Sequence, residues 1–211
     1  MNMVVPSYLE WEDSMDATNR DLLFNGFKVY LRALEPDDFK ISVNWRRDDE
    51  IWDMVIGPKY YVSEAYERKW VEEAIFGAPN RFVLAVCLKE NDELIGYVHL
   101  KNIDWQNRSA NFAKLIGKKE CWGKGIATEA TLLMLYHGFI VLGLERIQAR
   151  QLRSNFGSIR VEEKCGFKNE GIMRHAVFKN GEYQDLNLMS IIREDFYNLI
   201  DQMIADKITN Q

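Results

Sequence analysis

The chain has 211 residues, 47% of them hydrophobic, and a formal net charge of −5. A chain of this length buries a substantial core and most simply forms one domain. The acidic balance argues against a nucleic-acid partner, because nucleic-acid phosphates favour a basic surface. No segment reaches the ~20 apolar residues of a membrane-spanning helix, and the N-terminus lacks a signal-peptide pattern. We therefore expect a cytoplasmic protein without a membrane partner.

The cysteine pattern bears on compartment and metal binding. The three cysteines, Cys87, Cys121 and Cys165, lie far apart in the sequence and never form a CxxC pair. An odd and sparse set is typical of a reducing compartment and offers no zinc-ligand spacing. We therefore expect neither disulfides nor a metal site.

The first third of the chain contains an irregular segment followed by a strand and two helices. Residues 1–26 show no clean hydrophobic period and are interpreted as an N-terminal extension, which leaves residues 27–211 for the domain. Alternation over residues 27–32 predicts a strand. Pro36 is expected to open a helix that ends near residue 46, and Ser63 to cap a second one that ends near residue 75.

The rest of the chain alternates strands and helices. Turn and cap residues separate predicted strands at 82–88, 94–100, 111–117, 144–152, 171–179 and 183–192, and predicted helices at 126–142, 155–165 and 194–205. Asn180-Gly181 between the last two strands is the strongest hairpin signal. This order predicts a single α+β domain with a mixed sheet and helices on both faces.

A glycine-containing loop, Trp122 to Thr128, joins a predicted strand to the helix that starts at residue 126. Glycines at the start of a helix let the backbone approach a ligand, and the free N–H groups and helix dipole there favour phosphate. The Walker pattern fails because Lys124 is followed by Gly125, and the dinucleotide pattern fails because its third glycine position is Thr128. On the loop alone, a purely structural turn remains the alternative.

A second block, Asn155 to Phe167, follows at the spacing of one supersecondary unit. Together the two blocks resemble the GNAT superfamily of acetyl-CoA-dependent N-acetyltransferases, in particular the branch of ribosomal-protein N-terminal acetyltransferases and spermidine acetyltransferases. The family loop, Gln/Arg-x-x-Gly-x-Gly/Ala, corresponds to residues 122–127, and its later block corresponds to Asn155, Ser158, Glu163, Lys164, Gly166 and Phe167. The resemblance covers residues 27–196 and implies a GNAT-type mixed, mainly antiparallel sheet.

The resemblance implies acetyl-CoA as cosubstrate and direct acetyl transfer to an amine without a metal. Backbone N–H groups of the loop would bind the pyrophosphate, the pantetheine would lie along the strand before the loop, and two polar residues would contact the cofactor. These cofactor-binding residues are Gly123, Lys124, Gly125, Ile126, Ala127 and Thr128 for the pyrophosphate, Leu115, Ile116 and Gly117 for the pantetheine, and Asn155 and Ser158.

The proton-transfer group is not fixed by the resemblance. The position of a glutamate in spermidine acetyltransferases holds Asn111, and the position of a tyrosine in many superfamily members holds Glu162. A base or acid near the reacting amine assists this chemistry. The candidates are His99, Asp104, Glu162 and Tyr183, each of which also has a purely structural interpretation.

The acceptor is expected to be a small-molecule amine such as an amino sugar, a polyamine or an aminoglycoside. Trp45 is the candidate for lining the acceptor pocket, and Arg46 for pairing with an acidic group, with core packing and an internal ion pair as the alternatives. A protein N-terminus is the second acceptor hypothesis. A non-catalytic acetyl-CoA-binding protein is the hypothesis from a different class. The resemblance is also compatible with a homodimer.

Overall fold

The computed structural model describes residues 17–57 and 61–209, so residues 1–16 of the predicted extension lie outside it. The helices are α1 (Ala17–Phe24), α2 (Phe39–Arg47), α3 (Asp49–Asp53), α4 (Glu64–Phe76), α5 (Ile126–Tyr136), α6 (Phe156–Lys164) and α7 (Arg193–Thr209). The strands are β1 (Val29–Ala33), β2 (Arg81–Leu88), β3 (Leu94–Asp104), β4 (Ser109–Ile116), β5 (Arg146–Leu152), β6 (Lys168–Lys179) and β7 (Glu182–Ile192).

The seven strands form one sheet in the order β1-β2-β3-β4-β5-β7-β6. Every neighbouring pair is antiparallel except β4 and β5, which run parallel. A parallel pair needs a crossover connection, and α5 provides it. The expected α+β fold with a mixed, mainly antiparallel sheet is confirmed.

The two faces of the sheet are covered by different helices because successive strand residues point to opposite sides. On β2, Val83, Ala85 and Cys87 join a smaller core beneath α2 and α4, whereas Val86 and Leu88 join the main core. The main core also contains buried residues of α5 and α7. Helices therefore lie on both faces, as the sequence predicts.

The predicted turn between the last two strands has the conformation its sequence favours. Asn180 has φ +52° and Gly181 has φ +84°, and Lys179 pairs with Glu182 across the turn. Positive φ at both central residues is the requirement of a type I′ hairpin. The predicted hairpin is confirmed.

Three local features differ from the sequence prediction. Part of the predicted extension contributes to the main core, since Leu23 of α1 is fully buried and Lys207 donates to the carbonyls of Leu22, Leu23 and Asn25. The additional helix α3 is capped by Asp48, whose side chain accepts from two backbone N–H groups. The helix predicted after the glycine loop is α-helical as far as Tyr136 and continues as a π-helix, His137–Val141.

Candidate active site

A cleft opens in the middle of the sheet where β4 and β5 separate. The two strands pair only from Ser109 to Phe112 and from Arg146 to Ala149, although β4 continues to Ile116 and β5 to Leu152. The cavity at this opening has a volume of about 640 Å³. It is lined by residues of β2, β3, β4 and β5 together with α2, α3, α4 and α6.

The backbone of β4 offers polar groups to the opening at every second residue. The N–H of Gly117 donates to the carbonyl of Ile95 at 2.8 Å, so the odd-numbered residues face β3. Alternation then directs the N–H groups of Lys114 and Ile116 towards β5. Of the predicted pantetheine contacts Leu115, Ile116 and Gly117, only Ile116 turns its N–H to the opening. The prediction is corrected for the other two, whose N–H groups point to β3.

The glycine loop forms the start of α5 beyond the end of β4. Gly125 is the N-cap residue with φ +83°, and its carbonyl accepts from the N–H groups of Thr128 and Glu129 at 3.0 and 3.1 Å. The predicted phosphate contact of Thr128 is therefore corrected, because its N–H is already bonded. The N–H groups of Ile126 and Ala127 have no intrahelical acceptor and remain for a ligand.

Trp45 packs beneath the end of β4. A Cβ atom on Gly117 would lie 2.0 Å from the Trp45 ring, so the close approach of these two residues requires a glycine. The Trp45 side chain is 7% exposed, packs edge-on against Tyr97 and still contributes to the lining of the cavity. Trp45 is both a core residue and a wall of the cleft.

Arg46 forms an internal ion pair. Its Nε donates to Glu67 Oε2 at 2.9 Å, and Ser42 donates to the other oxygen of this buried carboxylate at 2.6 Å. The Arg46 guanidinium also lies 5.0 Å from the Trp52 ring and 5.2 Å from the Trp70 ring. The prediction that Arg46 pairs with an acidic group of the acceptor is corrected, since a protein carboxylate already occupies that position.

A second buried ion pair crosses the opening. Lys114 Nζ donates to Glu162 Oε1 at 2.5 Å and to Ser158 Oγ at 3.0 Å, and the two charged side chains are 8% and 3% exposed. Glu162 therefore stands as the partner of an ammonium group and not as a free acid or base. Asn155 caps α6 by accepting from the Ser158 N–H and also donates to the carbonyl of Met54 at 2.9 Å.

His99 is half-buried in the cavity wall. Its ring lies 5.9 Å from that of Trp70 and 6.4 Å from that of Tyr97. Burial, together with the charges of Arg81, Lys101 and Arg46, lowers the pKa of His99 to about 3. The imidazole is therefore neutral at neutral pH, with one nitrogen able to accept a hydrogen bond.

The structure does not bring Asp104 or Tyr183 to the cleft. Asp104 is exposed at the end of β3 and accepts from the N–H and the side chain of Asn107, so it stabilises a turn. Tyr183 is 62% exposed and stacks on His175 in a separate shallow depression. Both residues were predicted from their positions next to strand ends and turns in the sequence. In the folded chain, the strands direct each side chain away from the cleft.

Besides Lys114, sequence reasoning missed three further basic residues of the cavity wall, Arg81, Lys101 and Arg150. They come from β2, β3 and β5, and only the pairing register brings them to one face. Strand alternation was the available signal, because it places Arg81 on the same side as Val83. Gln148 was also missed, and its side chain donates to Asn111 Oδ1 at 2.6 Å across the paired part of β4 and β5.

The described residues contain neither a candidate metal site nor a candidate membrane-spanning helix. No group of three or more His, Cys, Asp or Glu side chains in the described ranges is placed to hold a metal ion. Among the helices within 17–57 and 61–209, none has the length and apolarity needed to cross a membrane.

Comparison with known proteins identifies the family to which this chain belongs. Residues 28–168 match the model of the acetyltransferase (GNAT) domain. An uncharacterized N-acetyltransferase p20 of Bacillus licheniformis is 30% identical over 80% of this chain and 95% of its own. The spermidine N(1)-acetyltransferase of Vibrio cholerae is 31% identical over 81% of this chain and 96% of its own.

A solved structure shows the same fold. The spermidine N-acetyltransferase of Vibrio cholerae, crystallised with CoA and spermine, has a TM-score of 0.74 and 28% identity over 81% of this chain and 99% of that one. The domain match covers more than half of the chain, and the relatives are matched over nearly their whole length. The chain therefore belongs to the GNAT acetyltransferases and is an acetyl-CoA-dependent N-acetyltransferase.

Proposed function

We propose that this enzyme acetylates the primary amine of a small molecule in the cleft between β4 and β5. The observation that carries the proposal is the opening between these parallel strands, which leads into a walled cavity of about 640 Å³. Cavities of about 300–1,000 Å³ are typical of sites for small ligands. Spermidine acetyltransferases among the relatives support this class of acceptor.

The side of the opening next to the N-terminus of α5 is assigned to acetyl-CoA. Acetyl-CoA supplies the activated thioester, with its pyrophosphate at the N-terminus of α5 and its pantetheine in the gap beside β4. Ile126 and Ala127 offer N–H groups to the phosphates, and the positive φ of Gly125 shapes the turn. The N–H of Ile116 faces the gap, where a donor would stabilise the developing oxyanion.

The positive charges of the cleft are assigned to keeping the amine neutral, and His99 is assigned to orienting it. An amine attacks the thioester carbonyl only in its neutral form, and nearby positive charges favour that form. The C–N bond then forms, the C–S bond breaks, and the amine proton leaves to water. The neutral imidazole of His99 is suited to orient the amine by accepting a hydrogen bond.

A cytoplasmic location is part of the proposal. The three cysteines are free and buried in the described structure, which is typical of proteins from a reducing compartment.

The test is acetyl-CoA-dependent thiol release with amino sugars, polyamines, aminoglycosides, amino acids and peptides with free N-termini. We expect saturable release with a small-molecule class and no saturation with peptides. Release with peptides alone would contradict the small-molecule assignment. Absence of release with every acceptor, in protein that binds acetyl-CoA by calorimetry, would contradict catalysis in this cleft.

A further inference from the structure

The acceptor side of the cleft has an excess of positive charge. Five cationic side chains but only two carboxylates are found among the residues that line the cavity, namely Arg46, Arg81, Lys101, Lys114 and Arg150 against Glu67 and Glu162. The whole chain, in contrast, has a net charge of −5. The local excess therefore does not follow from composition.

Both carboxylates are already neutralised. Glu67 pairs with Arg46 at 2.9 Å, and Glu162 pairs with Lys114 at 2.5 Å. Three cations of the cavity wall remain, and within residues 17–57 and 61–209 none of them forms an ion pair: Arg81, Lys101 and Arg150.

The three remaining cations lie on one face of the sheet, with Arg150 on β5 two strands away from Lys101. Arg81 on β2 is directly opposite Lys101 on β3, and Lys101 is opposite Asn111 on β4. Side chains directly opposite on neighbouring strands are separated by about 5 Å at Cβ, and like charges there repel each other.

Their surroundings make the repulsion stronger. Desolvation lowers the pKa of Lys101, and the charges of Arg150 and Arg81 lower it further. Desolvation also lowers the pKa of Arg81, opposed only by the charge of Glu73. Arg81 is held over the Trp70 ring at 5.5 Å, so its position is fixed by packing. The Lys101 residue as a whole is exposed.

The cation cluster lies away from the phosphate loop. Lys101 is opposite Asn111, near the start of β4, whereas the loop follows Gly117 at the other end. Six strand residues separate these positions, which corresponds to about 20 Å at the rise of a β-strand. The pyrophosphate at the start of α5 is therefore not the partner of these cations.

We propose that Arg81, Lys101 and Arg150 form a subsite for an anionic group, a carboxylate or a phosphate, on the amine acceptor. An anion bridging the cluster would receive charge-assisted hydrogen bonds and relieve the repulsion between strands. The same charges disfavour an ammonium ion and so promote the neutral, reactive amine. Polycationic acceptors are then poor substrates. The subsite rests on the proposed function, since it assigns the acceptor class of that same cleft.

The experiment compares matched acceptors that differ in one anionic group. Glucosamine is paired with glucosamine 6-phosphate, amino acids are paired with their carboxamides, and spermidine serves as the polycation. We expect kcat/KM to be at least about tenfold higher for the anionic member of one pair, as a hydrogen bond to a charged group provides. The pair that shows the preference identifies phosphate or carboxylate.

Variants assign the preference to the cluster. Lys101→Gln should raise the KM of the anionic acceptor by about tenfold. The KM of the uncharged member of the pair and the KM of acetyl-CoA should stay unchanged. Lys101→Glu should increase kcat/KM for spermidine. Lys89→Gln, which removes an exposed lysine outside the cavity lining, is the matched control and should change nothing.

Three results would overturn the proposal. Equal or better turnover of the uncharged members, or of spermidine, would refute the anionic subsite while leaving acetylation of small amines intact. An increase of the acetyl-CoA KM in Lys101→Gln equal to that of the acceptor would assign the cations to the cofactor. Absence of thiol release with every acceptor tested would contradict the proposed function itself, and the subsite with it.

Discussion

The two ends of β4 are built in different ways. At the C-terminal end, the proposed phosphate-binding loop is one continuous segment, Trp122 to Thr128, whose backbone offers the polar groups. At the N-terminal end, the charged subsite is assembled from side chains of separate strands, Arg81, Lys101 and Arg150. A cofactor site of the first kind can be shared by a whole family, whereas a site of the second kind changes with single substitutions. On the proposed assignments, the first site binds the cofactor and the second determines the acceptor.

The largest predicted effect concerns the buried ion pair between Lys114 of β4 and Glu162 of α6. Replacing Lys114 by Met leaves the buried Glu162 carboxylate uncompensated, and this should lower the free energy of unfolding by about 3–5 kcal/mol. The double variant Lys114→Met/Glu162→Leu should recover most of the loss, because no buried charge remains. Urea unfolding measures both. A single variant as stable as the wild type would show that this ion pair does not stabilise the packing of α6 against β4.

At the cofactor end, Gly125→Val should weaken acetyl-CoA binding by at least about 100-fold, since a β-branched residue disfavours this backbone conformation and obstructs phosphate approach. Gly26→Val is the matched control, because Gly26 has the same φ of +83° and the same open surroundings. Calorimetric titration with acetyl-CoA should show normal affinity for the control. Comparable losses in both variants would indicate general destabilisation.

At the acceptor end, the lowered pKa of His99 predicts a contribution to acid sensitivity. The ordinary pKa of about 6.5 applies to the unfolded chain, whereas the folded value is about 3. Below pH 6.5 the unfolded state therefore binds a proton that the folded state does not, and stability falls as the pH decreases towards 3. His99→Gln should make this fall shallower by up to about 1.4 kcal/mol per pH unit.

Urea unfolding at pH 7, 6 and 5 measures the His99 effect. His175→Gln, at an exposed histidine, is the control. An unchanged slope in His99→Gln would show that the imidazole is not desolvated in the folded protein.

Sequence patterns predicted the elements that local chemistry determines. Ser63 caps α4, Asn180-Gly181 forms the hairpin, and Asn155 caps α6. The glycine loop could be identified for the same reason, because its function resides in neighbouring residues. Elements stabilised by distant contacts escaped prediction: α1 is held by Lys207 of α7 and by burial of Leu23 in the main core.

Charge pairing could not be predicted from the sequence. The sequence left open whether Arg46 and Glu162 are available to a substrate or held in internal ion pairs, because their partners Glu67 and Lys114 come from other elements. Asp104 and Tyr183 failed to reach the cleft for the converse reason, since strand direction carries them away. In each case the outcome depends on register across the sheet, which no short segment encodes.

The most direct test of the division along β4 is calorimetric titration of acetyl-CoA into the wild type, Gly125→Val and Lys101→Gln. We predict that Gly125→Val loses binding and that Lys101→Gln keeps the wild-type Kd. Normal binding by Gly125→Val together with loss of binding by Lys101→Gln would place the cofactor phosphates at the charged end and contradict the account.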